Sequence, residues 1–172
     1  GPGPYCINNG RYLLIELPAS HIPGYTGDFF FTLQARGLTP ILAHPERHPE
    51  IGKNPAILLD WIKKDVLVQI NAPSLIGRMG ERVMKTAELL LYNNMVHCLG
   101  SDAHGMRNRT TNLAKAAAKI VSLYGEEKLR LLAEINPQKI IAGKDIDVPE
   151  VDEIHSPHKV SPVKRIFTLL GW

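Results

Sequence analysis

An α/β fold with a mostly parallel sheet is what this sequence predicts, and three observations predict it. Short apolar runs alternate with longer amphipathic stretches from residue 12 to residue 142. Each apolar run closes on a polar residue able to do chemistry, namely Glu16, His44, Asn71 or Asp102. The composition is ordinary, with 44% apolar and 22% charged residues, which a chain needs to bury a conventional core. Strands alternating with helices are the signature of βα units.

The elements follow in order. Tyr12-Leu13-Leu14-Ile15 is wholly apolar and predicts a buried strand. A helix is expected from Asp28 to Arg36, stopped by Gly37. Thr39 to Ala43 predicts a second strand and Ala56 to Lys64 a helix with Leu58, Leu59 and Ile62 on one face. Val66 to Ile70 predicts a third strand. Gly80 to Asn93 carries Val83, Ala87, Leu90 and Leu91 at helical spacing. Met95 to Leu99 predicts a fourth strand. Helices are then expected from Thr111 to Tyr124, stopped by Gly125, and from Glu126 to Glu134. Asn136-Pro137 reads as an N-cap and first-turn pair for a last helix reaching Ala142. Beyond Gly143 the character changes. Residues 145–162 are rich in proline and charge and read as a linker, and Val163 to Trp172 are basic, apolar and aromatic.

Composition also excludes some functions. The formal charge of +3 suits an anionic substrate or surface, but nucleic acid binding usually needs a clustered basic face, so no nucleic acid partner is expected. Cys6 and Cys98 form no CxxC pair, which argues against a thiolate zinc site and fits a reducing cytoplasm. No apolar run reaches the roughly 18 residues of a membrane span. A thiol phosphatase needs Cys and Arg separated by five residues. His104 stands six places after Cys98, and Arg11 follows Cys6 one place too early. No Walker loop, GxSxG or HExxH is found.

The polar strand ends carry the chemistry, because in parallel α/β folds functional groups gather there. Asp102-Ala103-His104 places a carboxylate and an imidazole two residues apart, a mix suited to Zn, Mn or Fe. The same aspartate could instead cap the next helix. His44-Pro45-Glu46-Arg47 sets an imidazole at a strand end with a guanidinium beside it, whose planar fork suits phosphate. The alternative is a surface loop with a Glu46–Arg47 ion pair. Glu16 closes an apolar strand, where a carboxylate needs a metal, an arginine or solvent. Arg107 and Arg109 follow as a phosphate clamp or as a solvated basic loop.

Together these segments resemble a known family. Tyr12-Leu13-Leu14-Ile15-Glu16, Ile41-Leu42-Ala43-His44-Pro45-Glu46-Arg47, Gln69-Ile70-Asn71-Ala72-Pro73-Ser74-Leu75 and Gly100-Ser101-Asp102-Ala103-His104 resemble, in order and spacing, the PHP-domain (polymerase and histidinol phosphatase) tyrosine-protein phosphatases of bacterial capsule and exopolysaccharide biosynthesis. The resemblance runs from about Tyr12 to Ala142. It implies a distorted (β/α)7 TIM-like barrel, with residues 1–144 as its C-terminal portion and 145–172 as linker and tail. It implies metal ligands at Glu16, His44, Asp102 and His104, catalytic arginines at Arg47 and Arg109, and Arg47, Arg109 and Arg107 as substrate-binding groups. The family's usual Arg-Pro-Pro is Arg109-Thr110-Thr111 here, so Arg107 is an alternative to Arg109.

The implied cofactor is a multinuclear cluster of Mn2+, or of Fe, Zn or Mg. The implied substrate is a phosphotyrosine protein, a membrane-associated bacterial tyrosine kinase, met in the cytoplasm. Homo-oligomers are open, as is membrane-surface contact through the tail. The family's opening His-x-His strand has no match in this chain, so the metal set is expected to be partial. A catalytically silent interaction module and a histidinol-phosphatase-like esterase are the rival readings.

Overall fold

The computed structural model of the 172-residue chain describes residues 3–104 and 113–156. Four strands make one parallel sheet in the order β1 (Tyr12–Ile15), β2 (Thr39–Ala43), β3 (Leu67–Asn71), β4 (Cys98–Gly100). Helix α1 (Thr26–Ala35) joins β1 to β2. Helices α2 (Pro49–Lys53) and α3 (Ala56–Ile62) join β2 to β3, and α4 (Ala72–Leu75) and α5 (Glu81–Tyr92) join β3 to β4. After β4 come α6 (Ala114–Tyr124), α7 (Glu126–Arg130), a π-helical turn at Leu131–Ile135 and α8 (Asn136–Ile141). Every strand-to-strand link in the sheet is thus a helical crossover, as parallel pairing requires.

The two faces of the sheet are filled unequally. Leu42, Val68, Ile70 and Leu99 point into the main core, where they meet Leu58, Ile62, Ala87, Leu90 and Leu91 from the helices. On the opposite face Tyr12, Ile41, Leu67, Cys98 and Ile140 form a smaller cluster, and Leu14 is half exposed. Pro40 is tolerated in the inner strand β2 because pairing with β3 begins only at Ile41. The amide that proline lacks would face β3 one residue too early.

The β4 boundary differs from the expected Met95 start. His97 holds Val68 from both sides: its backbone N–H donates to the Val68 carbonyl at 2.9 Å, and its Nδ1 accepts the Val68 N–H at 2.9 Å. A side chain thereby replaces one rung of the ladder, and regular pairing starts at Cys98. Asn136, expected as an N-cap, is helical, with φ −64 and ψ −46. The π turn runs straight into α8, so the Asn136 side chain is free of capping and donates to the His97 carbonyl at 2.8 Å. Helices α2 and α4 are further additions to the expected elements.

Residues 145–156, expected as a linker, carry no helix or strand, yet they are fastened to the domain. Asp145 pairs with Arg11, and Lys139 Nζ reaches Asp147 at 3.0 Å. Ile146 and Val148 pack on the smaller cluster, Val151 and Ile154 on the main core. Among the described residues no helix is long and apolar enough to cross a membrane.

Candidate active site

The C-terminal ends of the strands bring most of the predicted residues together. Glu16 follows β1 directly and is largely exposed. His44 follows β2 in the left-handed region, at φ 36 and ψ 49. Among the described residues six non-glycine positions have positive φ, and the other five are Asn or Asp, Asp102 included. Those two residue types tolerate this conformation and histidine tolerates it less well. The unusual one of the six is therefore His44, at the tip of β2, and backbone strain at such a position is a mark of functional sites.

The left-handed turn at His44 lets Pro45–Arg47 coil back as a short 3-10 turn, with the Arg47 N–H donating to the His44 carbonyl at 3.1 Å. This throws Arg47 across the sheet edge toward β4, where its Nη1 reaches Asp102 Oδ2 at 2.9 Å. On the other side His44 Nε2 lies 3.4 Å from Glu16 Oε1. His104 Nδ1 is 2.8 Å from the Asp102 carbonyl. A carbonyl can only accept, so Nδ1 is the donor in that contact. Arg107 and Arg109 lie outside the described residues.

The His44 imidazole is held below its usual pKa. Burial is the largest cause, and Arg47 adds to it, while Glu16 and Asp102 pull the other way. All three charged neighbours therefore act on one ring. A neutral imidazole is also the form that binds metal.

Glu46 was legible only as a surface partner of Arg47, and the structure corrects that alternative. It is 2% exposed, and Arg47 turns to Asp102 instead. Glu46 Oε1 accepts the Asn71 N–H at 3.0 Å, satisfying an amide at the point where β3 stops and α4 begins. Burial pushes its carboxyl up to about 7, against the pull of Ser74 and of the Asn71 amide. Glu46 ties the tip of β2 to the tip of β3. Asn71 is likewise buried, and its side chain accepts from Gln69 Nε2 at 2.7 Å.

Carboxylate and imidazole donors fit a hard or borderline cation in kind. They fall short in number. They stand as two pairs, Glu16 with His44 and Asp102 with His104, and among the described residues no three His, Cys, Asp or Glu side chains converge on one point.

A family model described as capsular polysaccharide synthesis, CpsB/CapC, matches residues 4–142. CapC of Staphylococcus aureus is 39% identical over 164 residues, which cover 95% of this chain and 62% of that protein. The tyrosine-protein phosphatase YwqE of Bacillus subtilis is 34% identical over 140 residues, covering 81% of this chain and 55% of that one. A crystal structure from work on YwqE and on CpsB of Streptococcus pneumoniae, described there as metal-dependent tyrosine phosphatases, superposes with a TM-score of 0.80. It is 31% identical and covers 86% of this chain and 60% of that one. The chain thus spans roughly three fifths of the length of the relatives it matches.

Proposed function

This chain belongs to the CpsB/CapC family of capsular polysaccharide synthesis, and from that premise we propose that it serves in metal-dependent hydrolysis of phosphotyrosine on a protein. The observation that carries the reading is the line Glu16–His44 and Arg47–Asp102 along one sheet edge, with both contacts in place and the imidazole kept neutral. Relatives named tyrosine-protein phosphatases support the substrate class.

In this reading Glu16, His44, Asp102 and His104 are a share of the metal ligands, and the other ligands come from outside the described residues. Divalent ions, when bound, supply Lewis acidity and an activated water. Arg47 holds the phosphoryl group. Its guanidinium has five N–H donors and Asp102 takes one of them, so the rest of the fork can meet phosphate oxygens. Arg109, with Arg107 as the alternative, is the second clamp. Glu46 fixes the direction of Arg47 by anchoring the turn that carries it.

The finer architecture belongs to the same proposal. The four-stranded sheet of residues 1–144 is the C-terminal portion of a distorted (β/α)7 TIM-like PHP barrel, and residues 145–172 follow it. The metal is a multinuclear cluster of Mn2+, or of Fe, Zn or Mg. The substrate is a membrane-associated bacterial tyrosine kinase that controls capsule or exopolysaccharide synthesis in the cytoplasm.

The test is phosphate release from a phosphotyrosine peptide, with Mn2+ and with excess EDTA. Release that needs Mn2+ and stops in EDTA is expected. Undiminished release in EDTA would overturn the metal reading, and no release with any divalent ion would overturn the phosphatase reading for this chain.

A further inference from the structure

The turn that follows β2 touches every other strand tip of the site. Within residues 44–50, His44 meets Glu16, Glu46 accepts the Asn71 N–H at the end of β3, and Arg47 reaches Asp102 beyond β4. Two further polar residues of the same segment, His48 and Glu50, are both aimed at one piece of chain. It is the connection from β1 to α1, residues 16–25, which carries no helix or strand. Such connections usually run about 2–6 residues, so this one is long, and Glu16 stands at its root.

His48 is 6% exposed. Its Nδ1 lies 3.2 Å from the Glu50 amide nitrogen, and its Nε2 lies 3.0 Å from the Pro18 carbonyl oxygen. The amide must donate and the carbonyl must accept, so Nδ1 is the acceptor and Nε2 the donor. The first bond caps α2, a task usually given to Ser, Thr, Asp or Asn. An ionised aspartate would cap as well, but it has no proton to give Pro18. Histidine does both. Glu50, in the first turn of α2, accepts the Ile22 N–H on Oε1 at 2.8 Å. Leu17 and Ile22 pack against the main core. The connection is thus pinned at Pro18 and again at Ile22, both times to α2. Glu16 lies two residues before the first pin, and its side chain is 69% exposed. So exposed, the carboxylate has little packing to aim it, and the pinned backbone sets its direction.

We propose that His48 and Glu50 are positioning residues for Glu16. By fastening the β1–α1 connection to α2 they hold the Glu16 carboxylate beside His44, where a divalent cation would meet both. The inference rests on the reading of Glu16 and His44 as metal ligands. Groups that orient a ligand from behind are typically worth about 10–100-fold in metal affinity.

Titration calorimetry with Mn2+ on the full 172-residue chain tests this. His48→Leu is expected to weaken Mn2+ binding about tenfold or more. His48→Gln keeps an N–H for Pro18 and is expected to recover most of that loss. In a Glu16→Ala background His48→Leu is expected to cost nothing further, because the two act through one ligand. Exchange of the Ile22 amide, followed by NMR without metal, is expected to quicken about tenfold in Glu50→Ala, through local opening, and to stay slow in Glu50→Gln. Equal Mn2+ affinity in the parent and in folded His48→Leu overturns the proposal. An undiminished effect of His48→Leu in the Glu16→Ala background also overturns it, since His48 would then be structural only. Unchanged Ile22 exchange in Glu50→Ala overturns the second pin. A parent chain that binds no Mn2+ overturns the metal reading itself, a result distinct from all three.

Discussion

Lowering the pH should separate the folded and unfolded states through His97. The ring is 1% exposed, and its pKa is pushed down to about 4 from 6.5, by burial first and by Lys128 second, against the Val68 hydrogen bond. In the folded protein it stays neutral down to about pH 4, whereas the unfolded chain takes up a proton below 6.5. The unfolded state therefore binds more protons across that window. The stabilisation is present above 6.5 and is lost as pH falls toward 4. The gap corresponds to roughly 3 kcal/mol.

Glu46 acts in the opposite sense. With its carboxyl raised from 4.5 to about 7, the folded state binds the extra proton, so its contribution declines as pH rises from 4.5 to 7. The two slopes oppose each other in the parent protein, and the informative quantity is the change on substitution. His97→Asn keeps an acceptor within reach of the Val68 N–H and removes the titration. Urea unfolding followed by circular dichroism at pH 7, 5.5 and 4, at constant ionic strength, should show the parent losing roughly 3 kcal/mol more than the variant between pH 7 and pH 4. Parallel curves for the two proteins would refute the assignment of that slope to His97.

Other expectations follow from single contacts. A Cβ at Gly100 would lie 2.1 Å from Gln69 Nε2. Gly100→Ala should therefore drive Gln69 off Asn71 and cost about 1–3 kcal/mol. In a Gln69→Ala background most of that loss should vanish, and a double-mutant cycle in urea checks it. Leu90 is fully buried in α5, so Leu90→Ala should cost about 2–5 kcal/mol, read as a lower urea midpoint with unchanged slope. Arg47→Lys keeps the charge and loses the fork, so phosphotyrosine-peptide hydrolysis should fall by about 10²-fold in kcat, with the far-ultraviolet circular dichroism unchanged.

Much of the strand frame was legible because it depends on local pattern. Tyr12–Ile15 and Thr39–Ala43 lie where their apolar runs place them, and the polar residue after each run marks the tip that faces the site. Where the reading departed, a distant partner had decided the outcome. β4 begins late because the His97 side chain occupies Val68, 29 residues away in sequence. The helix from Glu126 does not continue as regular helix to Glu134 because the chain widens into a π turn that brings Asn136 to His97. The short helices α2 and α4 had a usable signal, a proline in the first turn at Pro49 and Pro73, but each is too brief for periodicity to show. The burial of Glu46 had no local signal. Composition makes a buried carboxylate improbable, and only the unpaired amide at the end of β3 accounts for it. Proline and charge in residues 145–156 masked the apolar side chains at Ile146, Val148, Val151 and Ile154 that hold this stretch down.

The hydroxyl of Tyr12 donates to the carbonyl of Lys144 at 2.7 Å, across 132 residues of sequence, and Asn8 reaches Ile141 across 133. On the ribosome β1 is made long before Lys144. At about 5–20 residues per second, Tyr12 waits on the order of ten seconds for the carbonyl that satisfies it. Throughout that interval a nascent apolar strand has no finished burial site, so β1 is where a chaperone holding incomplete products would be expected to engage.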